Sequence, residues 1–329
     1  MNNRRKLVIA LGASALASPL SPLAQPATKV WRVGLMSSIA RQGDSHFYEA
    51  FPRGLRELGY IEGKNLIIER RYADNKIERL PGLVAELVQL KVDVIASGSP
   101  PVIRVAQKAT STIPIVILAD SDPVGNGFVA SLARPGGNIT GLSTLGVEIS
   151  AKHLEMLRSL VPKLSRVAVL INPDEGVSQA SQLKRIQAAG QKTNVTIQPF
   201  DARDPKEIET AFAKIVRWKA GALILVRGPF LNNQPRLIAD LAAKHRLPAI
   251  SGLTEYVEAG GLISYGANLS DLFRRGATYV DKIFKGAKPG DLPVEQATLF
   301  DLFINSKTAK ALGLKIPNSI LVQATKVIE

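Results

Sequence analysis

Short apolar runs alternate with longer amphipathic stretches along most of the chain. The run VWRVGLM (30–36) is typical of a strand, and FYEAFPRGLRELGY (47–60) has apolar positions at helical spacing. The alternation continues through NLIIERRYA, IERLPGLVAELVQLK, VDVIAS, PPVIRVAQKAT and PIVILA. Strict alternation of strands and helices is typical of parallel sheets covered by helices, so the pattern predicts an α/β fold.

The same order of elements returns in the second half of the chain. It begins at RVAVLINP and continues through QLKRIQAAGQ, VTIQPF, IETAFAKIVRWK, GALILV, RLIADLAAKHR and LPAIS. A series that is repeated as a whole predicts two similar lobes, which we expect to be joined first near residues 143–148.

Two segments near the end of the chain, GLISYGANLSDLFRRGATYVDKIFKGAKP and TLFDLFINSKTAKALGL, each supply one strand and one helix. We predict that the first segment returns to the amino-terminal lobe and that the second completes the other lobe. The chain then crosses between the lobes three times, which makes a hinge that opens and closes around a ligand. The predicted amino-terminal lobe is 28–143 plus 264–295, and the predicted carboxy-terminal lobe is 146–262 plus 298–329.

The first residues of the chain have the pattern of an export signal. Arg4, Arg5 and Lys6 precede the apolar run 7–17, which is shorter than the roughly 20 residues of a membrane-spanning helix. We therefore expect residues 1–24 to be a signal peptide that is cleaved after Ala24. The arginine pair leaves twin-arginine export open beside the general route. The mature chain is then expected to be periplasmic and not anchored in the membrane.

Composition excludes several classes of function. The sequence contains no cysteine, which excludes thiolate catalysis, cysteine-ligated metals and a lipid anchor on cysteine. The formal charge of +14 comes from basic residues scattered among acids, as in RRYADNKIERL, so we predict no nucleic-acid partner. The three histidines lie far apart, and no nucleophile, nucleotide-binding or metal-binding motif stands out. The sequence therefore predicts no metal, no cofactor and no enzymatic activity.

Ligands of open parallel sheets bind beyond the carboxyl ends of the strands. In SGSPP, Ser97 and Ser99 favour a pocket for a carboxylate, with an ordinary helix cap as the alternative. In ADSDPVGNG we assign Asp122 to a ligand ammonium group and Asp120 to a local turn, with the alternative that both only form the turn. Further strand ends are SSIARQGDSHF, NPDEG, RGPFLNNQ and SGLTEY. The predicted ligand-binding residues are Ser37, Ser38, Ser97, Ser99, Asp122, Ser143, Asn172, Glu255 and Tyr265.

Four long segments carry a resemblance to a known family. They are GLRELGYIEGKNLIIERRYA, STIPIVILADSDPVGNGFVASLARPGGNITG, EYVEAGGLISYGANLSDLFRRGATYVDKIFKGAKPGDLPV and FINSKTAKALGLKIP. From about Trp31 to its carboxyl terminus, the chain resembles the ABC-transporter substrate-binding proteins of the tryptophan/tyrosine-binding type. The resemblance implies a periplasmic binding protein of the first structural type, with two Rossmann-like lobes, parallel sheets, three inter-lobe crossovers and a ligand cleft between the lobes.

The resemblance also implies a function. It suggests the periplasmic solute-binding component of an ABC uptake transporter, which binds a small amino-acid-like or carboxylate solute and docks on a permease in the inner membrane. An aromatic amino acid is the solute that the family suggests. We expect a monomer, since the hinge must move. Two alternatives remain open, namely a ligand-sensing periplasmic module for a membrane receptor and an exported enzyme that uses the same cleft.

Overall fold

Strands and helices alternate in the first half of the chain. The computed structural model describes residues 29–39 and 46–329, so the predicted signal peptide lies outside the described residues. Within these ranges no helix is both long and apolar enough to cross a membrane. The elements are β1 Trp31–Ser37, α1 His46–Glu57, β2 Leu66–Tyr72, α2 Leu80–Gln89, β3 Val94–Ser97, α3 Pro100–Ala109, β4 Ile115–Asp120, β5 Ile139–Ser143 and α4 Gly146–Leu160.

A second series follows, and a group of shorter elements closes the chain. The series is β6 Arg166–Ile171, α5 Val177–Lys192, β7 Thr196–Asp201, α6 Pro205–Arg217, β8 Ala222–Leu225, α7 Pro229–Asn232, α8 Pro235–Lys244, β9 Ala249–Ser251 and α9 Thr254–Glu258. The closing elements are β10 Ile263–Ala267, α10 Leu269–Phe284, β11 Glu295–Gln296, β12 Phe300–Asn305, α11 Ser306–Ala311, α12 Asn318–Leu321 and β13 Lys326–Ile328.

The strands form two separate sheets, one for each lobe. The first sheet has six strands in the order β11-β5-β4-β3-β1-β2, and the second has seven in the order β13-β12-β10-β9-β8-β6-β7. Neighbouring strands are parallel, except that β10 and β12 are antiparallel. The predicted α/β class, the two lobes and the parallel sheets are therefore confirmed.

The chain passes between the lobes three times, as predicted. It leaves the first sheet after β5, returns to the first lobe between β10 and α10, and leaves again between β11 and β12. Helix α10 packs on α1 so closely that a Cβ on Gly54 would lie 2.6 Å from the Arg274 carbonyl oxygen. The end of α10 is fixed as well, since the ring of Phe284 stacks on Trp31 with centroids 4.0 Å apart.

The second crossover lies later in the chain than predicted. The sequence predicts residues 264–267 in the amino-terminal lobe, but β10 pairs with β9 and β12 in the second sheet. The chain turns toward the first lobe at Asn268, whose side chain accepts a hydrogen bond from the Asp271 amide and caps α10. An apolar strand pattern does not say which sheet the strand joins, and here β10 and α10 belong to different lobes. The other predicted boundaries stay predictions.

One irregularity in the first sheet shapes the strand end that faces the second lobe. Ile117 on β4 pairs with Gly141 on β5, and the next registered pair joins Asp120 to Ser143, so β4 holds one extra residue. Gly141 has a φ of +140°, and a Cβ there would lie 2.1 Å from the Ile117 carbonyl oxygen. The bulge therefore requires glycine at this position. It sets where Asp120 emerges from the sheet.

Candidate functional site

Two adjoining cavities of about 50 and about 40 Å³ lie between the lobes, beyond the carboxyl ends of β1, β3, β4 and β8. Residues of both lobes line each cavity, so a molecule bound there would touch both. The two cavities share Gly98, Ala119, Arg227, Pro229 and Asn232. The larger is also lined by Ser37, Ser38, Ile39, Phe47, Tyr48, Ser99, Leu269 and Phe273, and the smaller by Pro100, Asp120, Ser121, Glu175, Ser178, Gln179 and Gly228.

Two larger concave regions lie outside this pair of cavities. A groove of about 910 Å³ is formed by β7 and α6 on the second lobe alone. A cavity of about 260 Å³ lies beside the second crossover, includes Glu255 and Asn268, and shares Phe47 and Leu269 with the larger inter-lobe cavity. We place the candidate site in the smaller cavities because strand ends of both sheets meet there and charged groups of both signs line them.

The serines at the ends of β1 and β3 form one hydrogen-bonded cluster. The Ser99 hydroxyl donates to the Ser38 hydroxyl at 2.8 Å, and the Ser99 backbone N–H donates to the Ser97 hydroxyl at 3.0 Å. The Ser37 hydroxyl accepts the Ile39 N–H at 3.2 Å. Of these predicted residues, Ser37, Ser38 and Ser99 line the larger cavity. Ser97 lies behind them and shapes the turn.

The structure places both aspartates in local turns, as the alternative has it, and Asp120 rather than Asp122 also lines a cavity. Asp120 lines the smaller cavity, whereas the Asp122 carboxylate accepts the Gly125 N–H at 2.8 Å in a local turn. The Asp120 carboxylate is held by the Asp122 N–H at 2.8 Å and by the Asn126 amide at 3.1 and 3.2 Å. The extra residue in β4 brings Asp120 to the end of the sheet, where it lines the smaller cavity.

Four other predicted residues line neither inter-lobe cavity. Ser143 accepts the Leu145 N–H at 3.3 Å at the first crossover, and Asn172 accepts the Asp174 N–H at 3.1 Å. Tyr265 stacks on Phe300 with ring centroids 5.8 Å apart, and Glu255 lines the cavity beside the second crossover. A ligand-binding role for these four residues stays a prediction.

Besides Asp120, two charged residues of the site were not among the predicted ones. Arg227 and Glu175 lie in the strand-end stretches RGPFLNNQ and NPDEG, so the signal was present, but the side chains were not chosen. The Glu175 carboxylate accepts the Gln179 amide and the Phe230 N–H, each at 2.5 Å. Burial raises the pKa of Glu175 to about 7 even though both donors lower it.

Charges of both signs are enclosed in the walls of the cavities. Burial raises the pKa of Asp120 to about 6, against the hydrogen bonds from Asp122 and Asn126 that lower it. Burial lowers the pKa of Arg227 to about 10, against the attraction of Glu255 and Asp120 that raises it. At neutral pH Asp120 is therefore mostly ionised and Arg227 is charged. Walls with one guanidinium and nearby carboxyls suit a ligand that carries opposite charges itself.

Comparisons with known proteins agree with this architecture. A family model described as ABC transporter substrate binding protein matches residues 32–328. A tyrosine-binding protein of Clostridioides difficile is 27% identical over 284 residues, which cover 86% of this chain and 81% of the relative. These likenesses favour neither a sensing module nor an exported enzyme.

Two solved structures share this fold over 91% of the chain. An ABC domain from Streptococcus pneumoniae in complex with L-Trp is 24% identical, with a TM-score of 0.83 over 91% of this chain and 99% of that one. The ligand-free, open structure of a substrate binding protein with adhesive properties from Clostridium difficile is 25% identical, with a TM-score of 0.68 over the same shares, 91% and 99%. With the family match over residues 32–328, the chain belongs to the ABC transporter substrate binding proteins.

Proposed function

We propose that this chain captures a small amino-acid-like or carboxylate solute between its two lobes and delivers it to an ABC permease. The observation that carries the proposal is the pair of adjoining cavities lined by hydroxyl, carboxyl and guanidinium groups from both lobes. A solute that contacts both lobes binds the closed arrangement better than the open one, and it therefore shifts the equilibrium toward the closed arrangement. Proteins of this family bind solutes rather than catalyse reactions, and the family implies a permease as partner.

The size of the cavities supports capture through lobe movement. Cavities of about 50 and 40 Å³ have room for only a few waters, each needing at least about 10–15 Å³. A solute therefore enters only when the lobes separate. The three crossovers permit that movement because they lie together at one edge of both sheets, near β5 and β10.

An aromatic amino acid is the proposed solute class. The names of two relatives support it, a tyrosine-binding protein and a structure in complex with L-Trp. The rings of Phe47 and Phe273, with centroids 5.0 Å apart, line the larger cavity and would pack against an aromatic side chain.

Residue roles follow from the described contacts. We propose that Ser37, Ser38 and Ser99 hydrogen-bond the solute and that Asp120, rather than Asp122, faces its ammonium group. The remaining predicted residues support the walls or the hinge.

Export is part of the proposal. Residues 1–24 are proposed to be a signal peptide and the mature chain to be periplasmic. The basic residues before the apolar run 7–17 support this. So does the family, whose members typically act outside the cytoplasm. The lobe division is proposed as predicted, with 264–267 moved to the second lobe because β10 lies in its sheet.

A thermal-shift screen tests the proposal. The mature chain is heated with each common amino acid and with small carboxylic acids. A solute at a hundred times its dissociation constant should add about 2.7 kcal/mol to the free energy of unfolding.

Asp120→Asn should weaken binding of an amino acid about tenfold or more, because a charged hydrogen bond is lost. Asp122→Asn is the matched control and should bind normally, since asparagine also accepts the Gly125 N–H. If no amino acid or carboxylic acid stabilises the chain, the proposal fails.

A further inference from the structure

Arg227 occupies the wall that the two inter-lobe cavities share. It follows β8 by two residues and belongs to the second lobe, yet it lines both cavities together with Ala119 of the first lobe. Among the described residues that line the two cavities, Arg227 is the one basic side chain. Its position therefore makes it the natural partner for any negative charge that enters the cleft.

The guanidinium of Arg227 makes no hydrogen bond or close ion pair with another residue in the described part of the chain. Asp120 from the first lobe and Glu255 from the second attract it, but neither lies within ion-pair distance. The other arginines of the described ranges include many that do form pairs, such as Arg70 with Glu62 at 2.6 Å. An arginine has five N–H donors, and those of the half-buried Arg227 are open to whatever occupies the two cavities.

The backbone beside Arg227 is held in place. A Cβ on Gly228 would lie 1.7 Å from a Glu175 carboxylate oxygen and 2.1 Å from the Gln179 amide nitrogen. Pro229 begins α7 directly afterwards, and the Phe230 N–H is bound by the same Glu175. The base of the Arg227 side chain is therefore fixed against α5, which is what a binding group needs in order to meet a ligand without further ordering.

We propose that Arg227 recognises the carboxylate of the solute through its guanidinium. The inference rests on the proposed function and makes it specific, because the serine cluster then supplies supporting hydrogen bonds instead of the main anion contact. Asp120, across the smaller cavity, remains for the cationic group of the solute. The solute class is therefore a zwitterion with a free carboxylate. An amide or ester of the same molecule lacks the carboxylate that Arg227 binds.

Calorimetric titration of three variants with matched ligands tests this role. The probes are L-tryptophan and L-tyrosine together with their carboxamides, which keep the ammonium group and the ring but remove the negative charge. Arg227→Gln should weaken binding of the amino acid about 100-fold, and it should bind the amino acid and its carboxamide equally weakly. Arg227→Lys keeps the charge without the two-pronged geometry, so its affinity should be intermediate. Arg236→Gln, which removes an exposed arginine paired with Asp240, is the control and should bind as the wild type does.

A second measurement separates binding from folding. Melting of the unliganded Arg227→Gln variant should occur close to the wild-type temperature, because the half-buried guanidinium makes no close ion pair whose loss would destabilise the fold. If this variant keeps the wild-type preference for the amino acid over its carboxamide, the inference is overturned. A kept preference means that both affinities fall by the same factor, which would instead indicate that Arg227 holds the lobes together through Asp120. If the wild-type chain binds neither amino acid, the proposed function itself fails and this inference with it.

Discussion

Replacing Gly141 by alanine should lower the free energy of unfolding by about 3 kcal/mol or more. The added Cβ would lie 2.1 Å from the Ile117 carbonyl oxygen, and the φ of +140° disfavours any side chain. Backbone atoms cannot move aside as the tip of a flexible side chain can, so β4 and β5 must separate. Because this pair forms the bulge that presents Asp120, the variant should also bind its solute more weakly. Thermal unfolding by circular dichroism measures the first effect.

The matched control for this substitution is Gly137→Ala. Gly137 is exposed just before β5, and a Cβ there would meet nothing within 4 Å. Its melting temperature should stay close to that of the wild type. Equal melting temperatures for Gly141→Ala and Gly137→Ala would show that the close approach of β4 and β5 is not as described.

Replacing Phe273 by alanine should cost about 3–5 kcal/mol of stability and should weaken solute binding. Phe273 is 1% exposed, and its ring packs against Tyr48 with centroids 4.9 Å apart. It also supports the serine turn, since a Cβ on Gly98 would lie 2.7 Å from the Phe273 ring. Removing the ring leaves a void directly under the wall of the larger cavity. Chemical unfolding and calorimetric titration, at a temperature where the variant is folded, measure the two effects.

Phe284→Ala separates the loss of stability from the loss of binding. Phe284 lies on the same helix, is 8% exposed and stacks on Trp31, far along α10 from the cavities. It should destabilise the first lobe by a comparable amount and leave the affinity for the solute unchanged at temperatures where it is folded. A loss of affinity in both variants would mean that binding responds to the stability of the lobe and not to the cavity wall.

Periodicity in the sequence predicted the fold because it reports local geometry. The alternation of strands and helices fixed the α/β class, and its repetition indicated the two lobes. The sheet that β10 joins was not predictable in this way, because its apolar residues would suit the interior of either lobe. Long-range pairing with β9 and β12 decides the matter, and a local pattern carries no information about it.

The candidate site was predictable as a set of strand ends but not as a set of contacts. The serines at the ends of β1 and β3 were identified because ligands of open parallel sheets bind beyond the carboxyl ends of the strands. The choice between Asp120 and Asp122 depended on one extra residue in β4, which the sequence does not reveal. Arg227 was missed because its role depends on its place in the wall between the two cavities, which are built from segments far apart in the chain.

Movement of the lobes upon solute binding is the most direct test of the account. Strands β2 and β7 lie at the sheet edges farthest from the crossovers, so the residues after them should move most. Lys76 and Lys206 are exposed there, and the absence of native cysteine allows dyes to be placed at Lys76→Cys and Lys206→Cys alone. A control pair at Lys192→Cys and Lys206→Cys lies within the second lobe.

The amino acid that gives the largest thermal shift is titrated into the labelled protein, and energy transfer between the dyes is measured at each step. We expect transfer across the cleft to rise with the same dissociation constant that calorimetry gives, while the control pair stays constant. Calorimetric binding of the amino acid with no change in transfer across the cleft would contradict capture between two moving lobes.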